Sequence, residues 1–339
     1  MLLSYWGMNM FSEYYKGKKI LVTGGAGSIG RKIVKELIKY DVDVIRVFDN
    51  NETELFDLEN DLNSSKVKIF IGDIKDIQRL KYVFKDIDII FHAAAYKHVP
   101  LCEYNPLDAV KTNILGTQNI IDMSIYCDVD KVVLISTDKA VNPANVMGAT
   151  KFLAEKLMMA ASANGDEDST KFSCVRFGNV LNSRGSVIPL FKKQLKHGGP
   201  ITLTDEDMTR FIMNIYQAAE LILEAGSISQ GGEIFILKMP AFKVSDLVDA
   251  MIEYYAPQYG YNKDEIEVEI IGKRAGEKLY EELMTPDEML TSFDNGNLFI
   301  IRDEINKNHK EFVYNSNEIV HLSKEEIIDI LERMDALVY

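Results

Sequence analysis

One segment constrains this 339-residue chain more than any other. A short apolar run ends in Thr23-Gly24-Gly25-Ala26-Gly27-Ser28-Ile29-Gly30 and passes straight into a helical pattern. Glycines at 24, 27 and 30 permit a tight turn, close approach of backbone to a pyrophosphate, and close packing of helix on strand. A helix opening at Ser28 and Ile29 offers its first N–H groups and the positive end of its dipole to an anion. Glycine spacing alone is a weak signal. Here a strand precedes it, a helix follows it, and Asp49 ends the next strand about twenty residues beyond Gly30, which is the context the motif requires.

The first half of the chain supplies the neighbours such a unit needs. Lys19–Val22, Val44–Phe48, Val67–Ile71, Ile87–Phe91, Lys131–Ser136 and Phe172–Arg176 have the β-branched, apolar character of buried strands. Helical patterns at Arg31–Lys39, Gln78–Phe84, Ala109–Ser124 and Ala149–Ala160 alternate with them. Alternation of this kind predicts right-handed βαβ units: an α/β, Rossmann-type doubly wound parallel sheet. Beyond Phe177 the alternation loosens, glycine and proline cluster, and Val244–Tyr255 and Lys324–Met334 stand out as helices. The expected organisation is a dinucleotide-binding domain over 1–177 and a smaller C-terminal α/β substrate-binding region over 178–339, with segments crossing back to the first.

Composition narrows the partners. Lys plus Arg number 38 against 52 Asp plus Glu, a net charge of −14. That balance argues against nucleic acid or an anionic membrane surface as partner, because polyphosphate contact needs clustered cations. A phosphate-bearing small molecule remains compatible, since one pocket can be locally positive on an acidic protein. The cysteines, Cys102, Cys127 and Cys174, are three and widely spaced, which fits reduced thiols in a cytoplasmic protein. Neither they nor His92 and His98 have metal-ligand spacing, so no metal site is expected. Residues 1–15 lack a basic region before a short apolar stretch, and no window reaches about 18 apolar residues, so neither a signal peptide nor membrane insertion is expected.

The cofactor follows from the second and third strand ends. Asp49 is placed to accept hydrogen bonds from the ribose hydroxyls of an adenosine, and its charge would repel a 2′-phosphate, which favours NAD over NADP. Arg31 and Arg46 are near enough in sequence to soften that preference. Asp73 and Ile74 close the third strand where an adenine edge would lie, with a helix cap as the alternative role for Asp73. Ala93, Ala94 and Ala95 are small, as a cofactor crossing a strand end requires.

The fifth strand ends in Ser136-Thr137-Asp138-Lys139, and a helix begins near Met147-Gly148-Ala149-Thr150-Lys151. With His92–Pro100, Arg176–Val180, Ser183–Pro189, Met208–Phe211 and Arg274–Lys278, these stretches resemble the extended short-chain dehydrogenase/reductases. More narrowly, they resemble the nucleotide-sugar 4,6-dehydratases that act on UDP-N-acetylglucosamine in polysaccharide biosynthesis. One departure matters. The wider superfamily uses Tyr-x-x-x-Lys, and Met147 stands at the tyrosine position. A thioether has no proton to exchange. Lys151, four residues on, lies on the same helix face and would still hold the nicotinamide ribose.

The resemblance implies a redox-neutral dehydration to a UDP-4-keto-6-deoxy-N-acetylhexosamine, with NAD retained. Hydride leaves C4, water is eliminated across C5 and C6, and hydride returns to C6. Thr137 or Asp138 would take the C4 hydroxyl proton. Lys139 would remove the C5 proton, which requires a neutral amine, and burial is expected to lower its pKa. Asp138, protonated, would assist loss of the C6 hydroxyl. The resemblance further implies that Arg210 and Arg274 bind the diphosphate, that Asn179 contacts a phosphate or sugar hydroxyl, and that Ser186 and Val187 frame the nucleotide. Lys97 and His98 lie toward the sugar or serve structure; Glu277 contacts ligand or orients an arginine. At C5 the resemblance divides: Tyr96 and Ser136–Lys151 are like retaining members, whereas Asp207–Arg210 and Tyr314–Asn317 are like inverting ones, and retention is the reading favoured. The helix carrying Met147, Met158 and Met159 commonly packs in a dimer in this superfamily, which implies a homo-oligomer. A nucleotide-sugar 4-epimerase on the same fold is the alternative, and a non-catalytic dinucleotide-binding sensor, suggested by the missing tyrosine, is the second.

Overall fold

A computed structural model describes residues 11, 13–166, 168–181, 187–273, 276–307 and 312–336. Strands β1 (Lys19–Thr23), β2 (Val44–Asp49), β3 (Val67–Ile71), β4 (Ile89–His92), β5 (Lys131–Ile135) and β6 (Lys171–Arg176) alternate with helices α1 (Ser28–Leu37), α2 (Glu52–Leu62), α3 (Ile77–Val83), α4 (Val99–Tyr104), α5 (Pro106–Ala109), α6 (Gly116–Tyr126) and α7 (Val146–Ala163). Then follow β7 (Asn179–Val180), α8 (Val187–Leu195), β8 (Ile201–Leu203), β9 (Thr209–Met213), α9 (Ile215–Ile228), β10 (Ile234–Leu237), β11 (Ala241–Lys243) and α10 (Val244–Tyr255). The remainder forms β12 (Val268–Ile270), α11 (Pro286–Leu290), β13 (Ser292–Asp294), β14 (Leu298–Ile301) and α12 (Lys324–Ala336).

Nine strands make the main sheet, in the order β13-β14-β10-β6-β5-β4-β1-β2-β3. From β3 to β10 every pairing is parallel. The doubly wound α/β expectation is met, including the dinucleotide-binding strand order, with its reversal between β1 and β4. Helices cover both faces, so the central strands are apolar on both sides: all four residues of β4, Ile89–His92, are buried. Edge strand β3 has only exposed and half-buried positions instead.

The sheet continues past residue 178. Strand β10 joins β6 in parallel, and β14 and β13 add antiparallel. Helix α9 packs on α1, where the Lys32 ammonium lies 3.2 Å from the Tyr216 ring centroid. Two smaller sheets, β11-β9-β7 and β12-β8, build a second lobe. Its own core includes Ile188, Phe191, Leu247, Met251, Tyr255 and Leu331.

Sequence periodicity located β1–β6 to within one or two residues but missed β7–β14 and the helices α2, α4, α5, α8, α9 and α11. The pattern over Ala109–Ser124 is not one regular helix. Helix α5 ends at Ala109, Val110–Leu115 forms a turn of π-helix, and α6 starts at Gly116. The widened turn directs the Asn113 side chain at the backbone of Tyr96, whose N–H and C=O it binds at 2.8 and 3.0 Å.

Candidate active site

A cleft of about 1530 Å³ runs between the sheet's carboxyl ends and the second lobe. That exceeds the roughly 300–1,000 Å³ of a pocket for one small ligand and leaves room for two. Its floor is the glycine turn. Gly24 has φ of +66°, and a Cβ there would lie 2.5 Å from the Ala94 nitrogen at the end of β4. A Cβ on Gly30 would lie 2.3 Å from the Gly24 carbonyl oxygen, so α1 can approach its own turn only without one. Side-chain caps close α2 (Asn51), α3 (Asp76) and α7 (Asn145), whereas α1 starts at Gly27 with none. Gly27, Ser28 and Ile29 line the cleft there, as an anion-binding helix start requires.

Asp49 faces the same turn. Its Oδ2 accepts from the Ala26 N–H at 3.1 Å and its Oδ1 from Asn51 N–H at 3.0 Å. Neither nearby arginine turns toward it. Arg31 pairs with Asp61 at 2.8 Å and Glu54 at 3.4 Å, and Arg46 donates to the Val83 and Lys85 carbonyls at 2.6 and 2.7 Å. Asp73 is not a helix cap: Asp76 caps α3, and Asp73 accepts from the Lys75 N–H at 2.9 Å while lining the cleft with Ile74, Ala93 and Ala94. The residues present therefore fit an adenine dinucleotide.

At the end of β5, Thr137 caps a short 3-10 turn over Asp138–Ala140. The Thr137 hydroxyl donates to Asp138 Oδ1 at 2.8 Å, and the Lys139 ammonium donates to the same oxygen at 2.9 Å. Thr137 and Lys139 line the cleft, but Asp138 is fully buried behind them. Its Oδ2 has no hydrogen-bond partner among the described residues. Asp138, expected from the sequence to meet substrate, thus faces Thr137 and Lys139 and does not line the cleft itself. The expectation for Lys139 is also corrected. Burial and Arg210 pull the ammonium toward neutrality, but Asp138 and Glu281 outweigh them and hold its pKa above the usual lysine value.

Met147 is buried against Cys102, Ala109, Val99 and Val146 and lines the cleft where the superfamily tyrosine would stand. Lys151, one turn on, donates to the Ile135 carbonyl at 2.6 Å. Burial brings its pKa down to about 8 against the opposing charge of Glu155. His92 serves structure: it bridges the Thr23 and Thr117 hydroxyls at 2.7 and 3.1 Å, and burial and Lys151 push its pKa to about 3, so it stays neutral.

From the second lobe, Asn179, Val187, Arg210 and Glu277 line the cleft, and Lys97 and His98 meet it from the β4 side. Burial, with Lys97 beside it, lowers the pKa of His98. Ser186 and Arg274 lie outside the described residues. Arg210 departs from expectation. Its guanidinium donates to the carbonyls of Thr209, Leu279 and Lys278 at 2.7, 3.1 and 2.9 Å, and its Nε is 3.8 Å from Glu281. Most of its donors are thus engaged within the protein, and a phosphate would meet only what remains.

Sequence reasoning missed Glu281. It is buried, lines the cleft, and stands 3.6 Å from the Lys139 ammonium. The available signal was adjacency, because it lies three residues beyond the Arg274–Lys278 motif. The same segment ties the lobes together. Lys278 donates to the Val141 carbonyl at 2.9 Å, and Asn145 donates to the Gly276 carbonyl at 3.1 Å.

Residues 20–303 match the family described as polysaccharide biosynthesis protein. The chain is 54% identical over 329 residues to an uncharacterized membrane protein of Methanocaldococcus jannaschii, covering 96% of this chain and 98% of that one. A UDP-N-acetylglucosamine 4,6-dehydratase (inverting) of Campylobacter jejuni is 39% identical over 307 residues, 90% of this chain and 89% of that one. The crystal structure of Pen from Bacillus thuringiensis superposes with a TM-score of 0.90 at 43% identity, covering 94% of this chain and 98% of that one. Relatives with other names bound the reading. The chain spans only about half (47%) of the capsular polysaccharide biosynthesis protein CapD of Staphylococcus aureus, to which it is 44% identical over 290 residues. It is 38% identical over 335 residues (94% of this chain, 96% of that one) to a Rickettsia bellii protein named UDP-glucose 4-epimerase. Among the described residues no helix is long and apolar enough to cross a membrane, and no cluster of metal-ligating side chains occurs.

Proposed function

The chain belongs to the polysaccharide biosynthesis protein family of extended short-chain dehydrogenase/reductases, and from that premise we propose that it dehydrates UDP-N-acetylglucosamine to a UDP-4-keto-6-deoxy-N-acetylhexosamine. The observation that carries the reading is the Thr137-Asp138-Lys139 turn, which meets the cleft beside Met147 and Lys151. Elimination of water next to a ketone needs one base and one acid within reach of adjacent carbons. Interconversion at C4 alone needs only a proton acceptor there, which Thr137 could be, and would leave Lys139 without a task.

Bound dinucleotide would supply a hydride acceptor at C4 that later serves as donor to C6, so the cycle consumes no reductant. NAD is the form that Asp49 suits, since its charge opposes a 2′-phosphate and Arg31 and Arg46 are both engaged elsewhere. Lys151 holds the ribose side of the cofactor. The Thr137 hydroxyl can accept the C4 hydroxyl proton while passing its own to Asp138 Oδ1. Asp138 thereby becomes the acid. The same path through Thr137 returns the proton to the departing C6 hydroxyl, while Lys139 removes the C5 proton and afterwards returns it. Asn179, Val187, Lys97, His98 and Glu277 would frame the UDP-sugar, together with Ser186, Arg274 and the free part of Arg210.

The test is direct. Purified protein with bound NAD verified by mass spectrometry, given UDP-N-acetylglucosamine and no reductant, should release a 4-keto product one water lighter. Unchanged sugar overturns the reading. An isobaric C4 epimer would support the second reading, a 4-epimerase, which the name of the Rickettsia relative favours and Met147 opposes. Proton NMR of the product formed in deuterated water assigns retention or inversion at C5 from the ring couplings.

A further inference from the structure

A base that is an ammonium ion at rest cannot take a proton, and Lys139 is such an ion here. Asp138 lies on one side of it at 2.9 Å and Glu281 on the other at 3.6 Å. The two carboxylates are not equivalent. Asp138 Oδ1 already accepts two hydrogen bonds, from Thr137 and from Lys139. Glu281 is 3% exposed, and its Oε1 reaches Lys139 and Arg210 only at 3.6 and 3.8 Å, too far for hydrogen bonds. Its Oε2 is buried with no partner among the described residues. A buried carboxylate so poorly bonded is costly when charged and is relieved by a proton.

The main chain that carries this side chain is fixed. The Glu281 N–H donates to the Ser316 hydroxyl at 2.9 Å, and its carbonyl accepts from the Ser316 N–H at 2.9 Å. Ser316, completely buried, is also 2.8 Å from the Thr209 hydroxyl on β9. The Tyr314–Asn317 run, which the catalytic reading leaves without a task, thus pins Glu281 opposite Lys139.

We propose that Glu281 is the proton store of Lys139, a positioning residue that makes the lysine a base. The Nζ–H bond breaks and an O–H bond forms on the Glu281 carboxylate, leaving a neutral amine beside a neutral acid. The amine then takes the C5 proton. The C5–H electron pair stays with the substrate and expels the C6 hydroxyl, which leaves as water with the proton held by Asp138. The new ammonium later returns its proton to C5. Glu281 faces Lys139 and Asp138 from the 3-10 turn, Arg210 from β9, and Lys278 on its own segment; burial and Asp138 raise its pKa from the usual value despite the three cations.

This inference rests on the dehydratase reading for its rate measurement but not for its titration. Wild-type kcat should be flat near neutral pH, because Lys139 and Glu281 share one proton. In Glu281→Gln the lysine must lose its proton to solvent. Its kcat should then fall about a hundredfold at pH 7 and climb about tenfold per pH unit toward pH 9, a slope that looser packing would not produce. Independently, carbon-13 NMR of glutamate-labelled protein, assigned by the signal displaced in Glu281→Asp, should show Glu281 titrating well above the usual value of about 4.3. It should titrate higher still in Lys139→Met, where one cation is gone. A wild-type pH profile in Glu281→Gln, or a Glu281 carboxyl titrating in the ordinary range, overturns the proposal. If wild-type protein leaves UDP-N-acetylglucosamine untouched, the dehydratase reading fails and the titration alone decides on the shared proton.

Discussion

At the scale of single residues, burial and charge set the roles more than residue type does. Lys139 and Lys151 both meet the cleft, yet they shift in opposite directions. Two carboxylates bracket Lys139 and hold it charged, whereas Lys151 has one carbonyl bond and an outweighed carboxylate. The shift of Lys151 has a consequence for stability. Folding disfavours its ammonium form, because its pKa falls from 10.5 to about 8. The cost is complete below pH 8 and fades as pH climbs to 10.5; at 1.36 kcal/mol per unit it amounts to about 3 kcal/mol. Replacing Lys151 with Met removes that cost. In cofactor-free thermal melts the variant should exceed wild type at pH 7, with the gap closing between pH 8 and 10.5, and it should bind dinucleotide more weakly. The sequence marked Asp138 and Lys139 as a pair, and the two side chains do meet, at 2.9 Å. It could not show which faces the cleft, nor the sign of the lysine's shift, because both depend on Glu281 arriving from 142 residues away.

At the scale of elements, one buried network holds the catalytic strand to its helix. Arg176, at the end of β6, makes a two-pronged pair with Glu155 on α7, at 2.7 to 3.1 Å. A second such pair reaches Glu288 on α11 at 2.8 Å. Glu155 also accepts from the Ser136 hydroxyl, next to Thr137. Glu155→Gln should lower stability by about 3–5 kcal/mol, the usual cost of breaking a buried pair by one partner, read as a shift of the urea midpoint. The double variant Glu155→Met/Arg176→Met should cost less than the sum of its singles, since neither Glu155 nor Arg176 is left facing an absent partner and only Glu288 loses its pair. The strands were legible because both faces of a parallel sheet are covered, which writes continuous apolar runs into the chain. Helices α2 and α8 were not, although Leu55-Leu58-Leu62 and Ile188-Phe191-Leu195 keep helical spacing: each is short, and its stripe spans only two turns. The π turn at Val110–Leu115 was invisible for another reason: it exists to aim Asn113 at Tyr96, and no local propensity encodes that.

At the scale of the whole molecule, α4, α5, the π turn and α7 carry Leu101, Leu107, Leu115 and Leu153, each between 47% and 62% exposed, beside the even more exposed Tyr104. Large side chains left in water on neighbouring helices fit the association expected from the sequence. Leu101→Glu/Leu107→Glu should reduce the mass measured by light scattering to that of one chain. Unchanged mass would remove these helices from any interface. Beyond residue 178, strands β10, β14 and β13 extend the main sheet past β6, so the C-terminal half builds part of the first half's sheet.

By itself, the sequence determined the six-strand parallel part of the doubly wound sheet, the glycine-rich turn at 24–30 and the place of the Thr137-Asp138-Lys139 turn, because these are written in local spacing: glycines where a Cβ would collide, apolar runs where two faces are covered. The tertiary structure alone decided what those residues can do. It set Asp138 behind Thr137, turned Arg31 and Arg46 away from Asp49, spent most of the Arg210 donors on carbonyls, and brought Glu281 to Lys139. Such outcomes depend on which distant charges share a desolvated space, and electrostatic energy in a buried site follows distance through space, not position along the chain.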